Sequence, residues 1–251
     1  MIPTGRLLLG LAFLAAWHAA HLALGADWIS APVAVARRVV AVAGSGELLR
    51  HTLATLTEAA TGFIIGAGAG IALPFVLRLS PRLGTALEPL FAAALGVPKL
   101  ALAPLLILWF GLGLASKVAL VASVVFFLLL FNTEAGIRAI DQRLTAAVRV
   151  LGASEWMVTR EIAWHTALPH VFAGLKLALP RSLSAAVVGE LIAADRGLGY
   201  YIGNAGAMAD TVGLFTGVAL VTLLVVALDV GLGRLEARSL SWRPLARDIG
   251  V

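Results

Sequence analysis

The chain has 251 residues, of which 60% are hydrophobic and only 13% are charged. A soluble domain carries about 25% charged residues, so this composition excludes an ordinary soluble fold and predicts a membrane protein. The net charge of +5 would suggest a nucleic-acid partner in a soluble protein, but the sequence has no basic run interleaved with aromatic residues, so we expect no nucleic acid.

Six apolar stretches of the chain can cross a membrane, for which a helix needs about 20 residues. They cover residues 7–24, 55–77, 88–110, 116–131, 171–194 and 212–232. The connections between them are too short for a separate soluble domain. We therefore predict an all-α polytopic membrane protein with six transmembrane helices and a single transmembrane domain, residues 1–251.

The first stretch could also be a signal peptide. No small-x-small cleavage site stands clearly before Asp27, and His18 and His21 interrupt the apolar run. We therefore interpret it as a retained span. The two histidines share a helix face, but without carboxylates or cysteines beside them they indicate packing rather than a metal site.

The second and third stretches carry residues that shape a helix. Gly62, Gly66 and Gly70 lie four residues apart, which is the small-xxx-small spacing that lets membrane helices approach closely. Three prolines interrupt the third stretch; they are Pro89, Pro98 and Pro104. Such a proline content predicts a broken or bent span whose freed backbone groups are satisfied by protein or by a cavity.

Two shorter segments are predicted to lie at the membrane surface. Residues 28–51 mix charged residues with apolar ones at helical spacing, which favours a short surface helix rather than a span. Residues 204–211 are interpreted as a short re-entrant or surface piece.

The longest polar segment, residues 141–169, lies between the fourth and fifth stretches. Apolar residues recur there at i, i+3, i+4 and i+7, at Leu144, Ala147, Val148 and Leu151. We expect Gly152 to end this first helix in a left-handed conformation, Ser154 to cap a second helix, and Pro169 to end it. The result is a helix-turn-helix whose apolar stripe needs a partner.

This segment resembles the membrane-spanning permease subunits of ATP-binding-cassette importers. Their cytoplasmic signature is Glu-Ala-Ala, three residues, Gly, nine residues, and Ile-x-Leu-Pro. Here Thr145-Ala146-Ala147 is followed at the same spacing by Gly152 and Ile162.

Two positions depart from that signature, since Thr145 replaces the acidic residue and Trp164-His165 replaces Leu-Pro. Residues 96–113 resemble one branch of the family, the permeases for nitrate, sulfonates, taurine and some vitamin precursors. Residues 188–190 and 197–200 are also similar to the family. The resemblance covers about residues 28–242, which is nearly the whole chain.

The resemblance implies a type I importer permease fold, with a cytoplasmic coupling helix between spans four and five. The coupling residues it implies are Ala146, Ala147, Leu151, Gly152 and Ala153. It further implies a homodimer in the bacterial inner membrane, two cytoplasmic ATP-binding subunits and a solute-binding protein outside. ATP and Mg would be bound by the partner subunit, so no cofactor is expected in this chain.

The implied function is the ATP-driven import of a small polar, anionic solute of the sulfonate, taurine, nitrate or vitamin-precursor class, by alternating access. The alternatives are an uncoupled membrane channel and a membrane-embedded enzyme. The sequence has no Gly-x-Ser-x-Gly, no His-Glu-x-x-His and no phosphate-binding Gly-x-x-x-x-Gly-Lys-Ser, and it has no cysteine for thiol chemistry. We therefore expect a transport subunit and not an enzyme.

Charged side chains within spans are costly and mark candidate functional sites. Lys99 and Glu190 are interpreted either as pathway residues or as head groups that reach the membrane interface, and both interpretations stay open. For Lys176 and Arg181 we favour the interfacial interpretation.

Small residues line one face of the fifth span; among them are Ser182, Ala186 and Gly189. This face, with Glu190 beside it, either packs against another helix or borders the translocation pathway near a dimer axis. Both hypotheses fit the sequence.

The distribution of Lys and Arg predicts the orientation. With residues 141–169 in the cytoplasm, the inside set of basic residues is Arg6, Arg78, Arg82, Arg138, Arg143, Arg149, Arg160, Arg234, Arg238, Arg243 and Arg247. The outside set is smaller and consists of Arg37, Arg38, Arg50, Lys117 and Arg196. Both termini are therefore predicted to be cytoplasmic.

Single cysteines should report this topology cleanly, because the chain has none of its own. Cysteines at Ser45 and Asn204 are expected to react with an impermeant maleimide added to intact cells. Cysteines at Ser154 and Ser239 should react only after the membrane is opened. Labelling of position 154 in intact cells would reverse the predicted orientation.

Overall fold

The structure is a computed structural model that describes residues 4–44 and 46–240. All regular elements within these residues are helical. Four residues that enter the sequence-based interpretation lie outside the described residues; they are Ser45, Trp242, Arg243 and Arg247. The side chain of Arg6 is outside the description as well.

The described residues form eleven α-helices with two short segments of other helical type. The α-helices are α1 (Thr4–Leu24), α2 (Pro32–Gly44), α3 (Glu47–Leu79), α4 (Pro81–Gly96), α5 (Ala103–Phe110), α6 (Leu114–Arg138), α7 (Gln142–Val150), α8 (Glu155–Met157), α9 (Trp164–Ile192), α10 (Leu198–Ala207) and α11 (Thr211–Ser239). A 3-10 helix spans Lys99–Leu102, and a π-helix spans Val158–Ala163.

Five continuous helical segments are long and apolar enough to cross a membrane. Four of them contain α1, α3, α6 and α11, and the fifth runs without interruption over Glu155–Ile192. A sixth candidate is the pair of α4 and Lys99–Phe110, which is bent by 85° at the break and forms either a broken span or a re-entrant loop. The described residues thus contain five continuous candidate spans and one bent pair, and the predicted break in the third apolar stretch is observed.

The prediction that Pro169 ends a helix was wrong. Pro169 and Pro180 both lie inside α9, which continues the π-helix Val158–Ala163. A proline in a helix lacks one donor and frees one carbonyl group. In membrane helices such prolines are tolerated because neighbouring groups and local π-type adjustments satisfy the freed backbone groups.

Several helices extend beyond the apolar stretches that predicted them. Helix α6 continues through Asn132 to Arg138, and α11 continues to Ser239. Hydropathy detects only the part of a helix that lies in hydrocarbon, so polar end turns escape it. The predicted surface helix within residues 28–51 is present as α2, whereas residues 204–211 are the end of α10 and the turn that follows it.

The chain divides into two compact units, each built from separate parts of the sequence. One lies within Met1–Thr57 and Val187–Leu224, and the other within Glu58–Ala186 and Val225–Val251.

In the second unit, α6 is the central helix. Its most buried side chains are at most 1% exposed; they are Leu120, Val121, Val125, Leu129 and Leu130. Helix α3 packs on α6 through its three spaced glycines. A Cβ added at any of them would lie 2.5 Å from an atom of α6. That atom is the Val121 Cβ for Gly62, the Ala122 carbonyl oxygen for Gly66 and the Phe126 carbonyl oxygen for Gly70. The predicted close approach of backbones is confirmed.

In the first unit, the short helix α10 packs against the beginning of α11. A Cβ at Gly217 would overlap the side chain of Ile202, so side chains of α10 lie directly on the backbone of α11 there. Helix α1 joins the same end of α11 through Trp17 and Phe215, whose rings stack with centroids 5.9 Å apart.

Substitution of Gly66 tests the contact between α3 and α6. We expect Gly66→Ala to lower the free energy of unfolding by about 1–3 kcal/mol, because the added methyl group would displace a backbone carbonyl. Gly68→Ala is the matched control in the same helix, since a Cβ there meets no atom within 4 Å. It should be neutral or stabilise by up to about 1 kcal/mol. Unfolding of the purified subunit in mixed detergent micelles measures both; equal effects would contradict this packing.

Candidate functional site

The polar segment after α6 is held rigid by its own hydrogen bonds. The Asp141 side chain caps α7 by accepting from the Arg143 N–H at 2.8 Å. At the other end of α7, Gly152 has a φ of +90°, its N–H donates to the Arg149 carbonyl at 2.9 Å, and the Ala153 N–H donates to the Val148 carbonyl at 3.0 Å. This pair of bonds is a Schellman motif, which satisfies carbonyls that the end of a helix leaves open. The prediction that Gly152 ends the helix in a left-handed conformation is confirmed.

The next helix begins at the predicted cap. The Met157 N–H donates to the Ser154 hydroxyl at 3.2 Å. Arg149 Nε donates to Glu155 Oε1 at 2.6 Å, which ties the end of α7 to the start of α8. The same hydrogen bond raises the pKa of the Arg149 guanidinium. Two caps and one ion pair therefore give this surface segment one defined shape.

The apolar side chains of this segment point away from the fold. Val150 is 88% exposed and Leu151 85%, and Leu144 is also exposed. Of the other predicted coupling residues, Ala146, Ala147 and Gly152 are exposed and Ala153 is half-buried. A rigid element with an exposed apolar face has the properties of a docking surface.

The positions that depart from the family signature have local roles. Thr145 is buried, and its hydroxyl donates to the Asp141 carbonyl at 3.1 Å. The Trp164 ring packs against Phe75, with centroids 5.6 Å apart. Both aromatic residues line a groove of about 480 Å³ beside α8.

A buried polar cluster holds the N-terminus of α10 in the first unit. Glu190 is 1% exposed, and its carboxylate accepts from the Thr55 hydroxyl at 2.7 Å and from the Gly199 N–H at 2.6 Å. The Thr55 hydroxyl in turn accepts from the Leu198 N–H at 2.8 Å. His51 Nδ1 accepts from the N–H of Gly197, next to Leu198, at 3.0 Å.

Three consecutive backbone donors at the start of α10 are thus bonded to buried side chains. These donors lack partners within their own helix, and because residues 197–199 are buried, water cannot replace those partners. A Cβ at Gly197 would overlap the Glu190 carboxylate, so this close approach needs glycine. The position of Glu190 supports a structural role within its own unit.

Lys99 and Arg181 line one cavity of the second unit, together with Asn132 and Ser184. Lys99 caps the end of α4 by donating to the Ala94 carbonyl and, at 3.0 Å, to the Leu95 carbonyl. Arg181 is exposed and lies in the middle of α9, not at its end. The interfacial interpretation of Arg181 stays a prediction. Lys176 does have a partner, since it forms an ion pair with Glu236.

The small-residue face of α9 is buried within the single chain. Ser182 is 3% exposed, Ala186 is 0% exposed, and Gly189 is buried. This placement favours the packing hypothesis for these three residues over a pathway at a dimer axis.

Sequence analysis missed the residues whose partners are distant in the chain. His51 and Thr55, which bind the start of α10, had no role predicted from the sequence. Lys117 was counted among the basic residues outside the membrane, but it is 5% exposed, and its ammonium lies 3.0 Å from Glu58 Oε1. The apolar context of Glu58 and Lys117 was the available indication that each needs a partner of opposite charge.

Membrane-length helices, one broken span and a capped loop with an exposed apolar face define a transport permease. Residues 62–240 match the family described as binding-protein-dependent transport system inner membrane component. The chain belongs to this family. It is a transport subunit and not an enzyme, it lies in the inner membrane, and it works with an ATP-binding partner and a solute-binding protein.

Relatives with assigned solutes align with most of the chain. It is 36% identical over 214 residues to the riboflavin transport system permease protein of Chloroflexus aurantiacus, covering 85% of this chain and 80% of the relative. It is 31% identical over 232 residues to the taurine transport system permease protein of Escherichia coli, covering 90% and 84%. It is 28% identical over 228 residues to the formylaminopyrimidine transport permease protein of Halalkalibacterium halodurans, covering 90% and 91%.

Solved structures show the same fold at low identity. The MetNI methionine ABC transporter in inward-facing conformations matches with a TM-score of 0.60 and 21% identity, covering 74% of this chain and 91% of that chain. An amino acid ABC transporter matches with a TM-score of 0.61 and 16% identity, covering 79% and 94%. The type I permease fold implied by the sequence is confirmed.

Thr55→Val tests the cluster at the start of α10. We expect it to lower the free energy of unfolding by about 2–4 kcal/mol, because it leaves the buried Leu198 N–H without an acceptor and removes a donor from Glu190. Thr55→Ser keeps the hydroxyl and should retain most of the stability. Thr57→Val is the control, since Thr57 is exposed and bonds only within its own helix. Detergent-micelle unfolding would contradict the assignment if Thr55→Val and Thr57→Val behaved alike.

Proposed function

We propose that this chain is one half of a homodimeric importer permease that moves a small polar, anionic solute across the membrane by alternating access. Two cytoplasmic ATP-binding subunits bind ATP and Mg, and the solute-binding protein delivers solute from outside. The single observation that carries the coupling part of this proposal is the rigid segment of residues 141–157, here called the α7 segment, with its exposed Val150 and Leu151.

The α7 segment docks in a groove of the ATP-binding subunit. Its apolar residues are too exposed for a surface that water alone covers, and its caps and ion pair make it stiff enough to transmit a push. When the two ATP-binding subunits close on ATP, a stiff element carries their motion to the spans, whereas a flexible loop would absorb it. The residues that make this contact are Ala146, Ala147, Leu151, Gly152 and Ala153.

The α7 segment and both chain termini face the cytoplasm. The excess of basic residues on that side supports this orientation. Within the second unit, Arg78 at the end of α3 donates to the Thr159 hydroxyl at 3.3 Å. Arg138 at the end of α6 forms an ion pair with Glu88 at 3.1 Å. The contact of Arg78 with Thr159 brings one basic helix end to the polar segment, which supports this orientation.

The solute is small, polar and anionic, of the sulfonate, taurine, nitrate or vitamin-precursor class. Among the relatives, the names assign taurine to one permease, riboflavin to another and formylaminopyrimidine to a third. Permeases of one fold thus serve chemically different solutes, so the solute-binding protein makes the main selection. The anionic class is supported by the two cations, Lys99 and Arg181, that line one cavity.

Gly152→Val tests the docking of the α7 segment. No atom lies within 4 Å of an added Cβ, so the substitution acts through the backbone, whose φ of +90° disfavours a β-branched residue. Strain of about 1–3 kcal/mol should shift the segment from its capped shape and lower transport by about tenfold or more.

Gly152→Asn is the matched control, because asparagine tolerates positive φ and should keep most of the transport. Uptake of radiolabelled solute and ATP hydrolysis are measured on the complex reconstituted in vesicles with its solute-binding protein. Wild-type transport and stimulated ATP hydrolysis in Gly152→Val would show that this segment is not the coupling element.

A further inference from the structure

A cavity of about 660 Å³ lies among the broken third span, α6 and α9, within the second unit. Its volume is in the range of small-molecule sites, about 300–1,000 Å³. Most of its wall is apolar and includes Phe127 and Leu128. The break in the third span therefore leaves a small-molecule cavity at the level of the spanning helices.

One cation in this cavity is held in place by the break itself. The Lys99 ammonium donates to carbonyls in the last turn of α4 and lies 4.7 Å from the centroid of the Phe127 ring. The negative end of a helix and an aromatic face both stabilise an ammonium group. The charge is thus fixed at the cavity wall, and an ammonium keeps a third donor for a ligand.

The second cation that lines this cavity is Arg181 of α9. Arg181 lies eleven residues before Ile192, the end of α9, which is about 16 Å along the helix axis. Among the residues that the structure describes, Arg181 has no hydrogen-bond or ion-pair partner. A guanidinium without a partner beside a mostly apolar wall is unfavourable. The N–H donors of the planar Arg181 guanidinium suit the oxygens of a sulfonate or carboxylate.

We propose that this cavity binds the charged end of an organic anion, such as an alkanesulfonate, on the permease itself. The oxyanion lies between Lys99 and Arg181, near the Asn132 side chain, and the apolar tail lies along Phe127 and Leu128. The site rests on the proposed function in one respect, since it is the place where a transported anion pauses between the two faces of the membrane. A phospholipid phosphate has the same oxyanion chemistry, so the test separates the two sources.

The cavity is probed with a cysteine at Ser184, which is exposed at the cavity wall and whose hydroxyl bonds only to the Pro180 carbonyl of its own helix. The chain has no other cysteine. The probes are two methanethiosulfonates of similar size, the anionic 2-sulfonatoethyl and the cationic 2-(trimethylammonium)ethyl reagent. Their modification rates are measured by mass spectrometry on the complete complex in phosphatidylcholine nanodiscs during ATP turnover.

We expect the anionic reagent to react at least about tenfold faster, relative to free cysteine, because a cleft lined by cations concentrates anions. Arg181→Gln in the Ser184→Cys background should reduce this preference by about tenfold. Arg181→Lys keeps the charge and should restore most of the preference, which shows that loss in Arg181→Gln is not due to misfolding. Lys99→Gln is a second test, although it also removes the cap of α4.

Methanesulfonate at millimolar concentration should slow modification of Ser184→Cys, whereas dimethyl sulfone, its neutral analogue of similar shape, should not. If phosphatidylglycerol in the nanodiscs slows the reaction and methanesulfonate does not, the oxyanion belongs to lipid and the solute assignment is overturned. A rate ratio that is insensitive to Arg181→Gln, or no reaction with either reagent, would overturn the site.

ATP hydrolysis stimulated by the solute-binding protein, measured on the same preparations, reports separately on the proposed function. Normal stimulation together with an insensitive rate ratio would reject the anion site alone. A charge-dependent ratio without any stimulation would reject the importer assignment and leave the anion site standing.

Discussion

The structure depends on one constraint, which is that no backbone polar group within a bilayer can rely on water. Helices satisfy this constraint along their length but not at their ends. Among the described residues, the start of α10 and the end of α4 are closed by side chains. At the start of α10, Thr55, His51 and Glu190 accept from three consecutive N–H groups. At the end of α4, the Lys99 ammonium donates to two carbonyls. Charged residues that would otherwise destabilise a membrane fold are the means by which this one tolerates a short helix and a broken span.

A similar constraint applies to the other charged side chains in the helices, which need partners of opposite charge. Glu58 and Lys117 are both buried and pair with each other at 3.0 Å, which is the usual condition for a charge in hydrocarbon. Lys176 pairs with Glu236. Arg181 differs from these residues because no partner for it lies among the described residues, and it lines a cavity. Arg181 is therefore the residue to which the anion proposal assigns a ligand from outside the chain.

In the α7 segment, the arrangement of polar and apolar groups is the reverse of that in the spans. Its polar groups are satisfied locally by two caps and a Schellman motif, so it needs no support from the spans to keep its shape. What it leaves exposed is apolar, at Val150 and Leu151. The spans hold polar groups inside, and this segment presents apolar groups outside. In the proposed function, that contrast separates the part of the subunit that binds solute from the part that binds the ATP-binding partner.

The sequence by itself determined the features that depend on neighbouring residues. Helical spans, the proline break, the turn at Gly152 and the cap at Ser154 follow from local composition and backbone chemistry. The tertiary structure decided the features that depend on distant residues. The local preference of proline predicted that a helix ends at Pro169, but in the folded chain this helix continues past Pro169. Glu190 stayed ambiguous in the sequence, because its partner Thr55 is 135 residues away and only the folded chain brings the two together. A charged residue in an apolar stretch indicates that a partner is needed, but only the packing of the folded chain determines which residue that partner is.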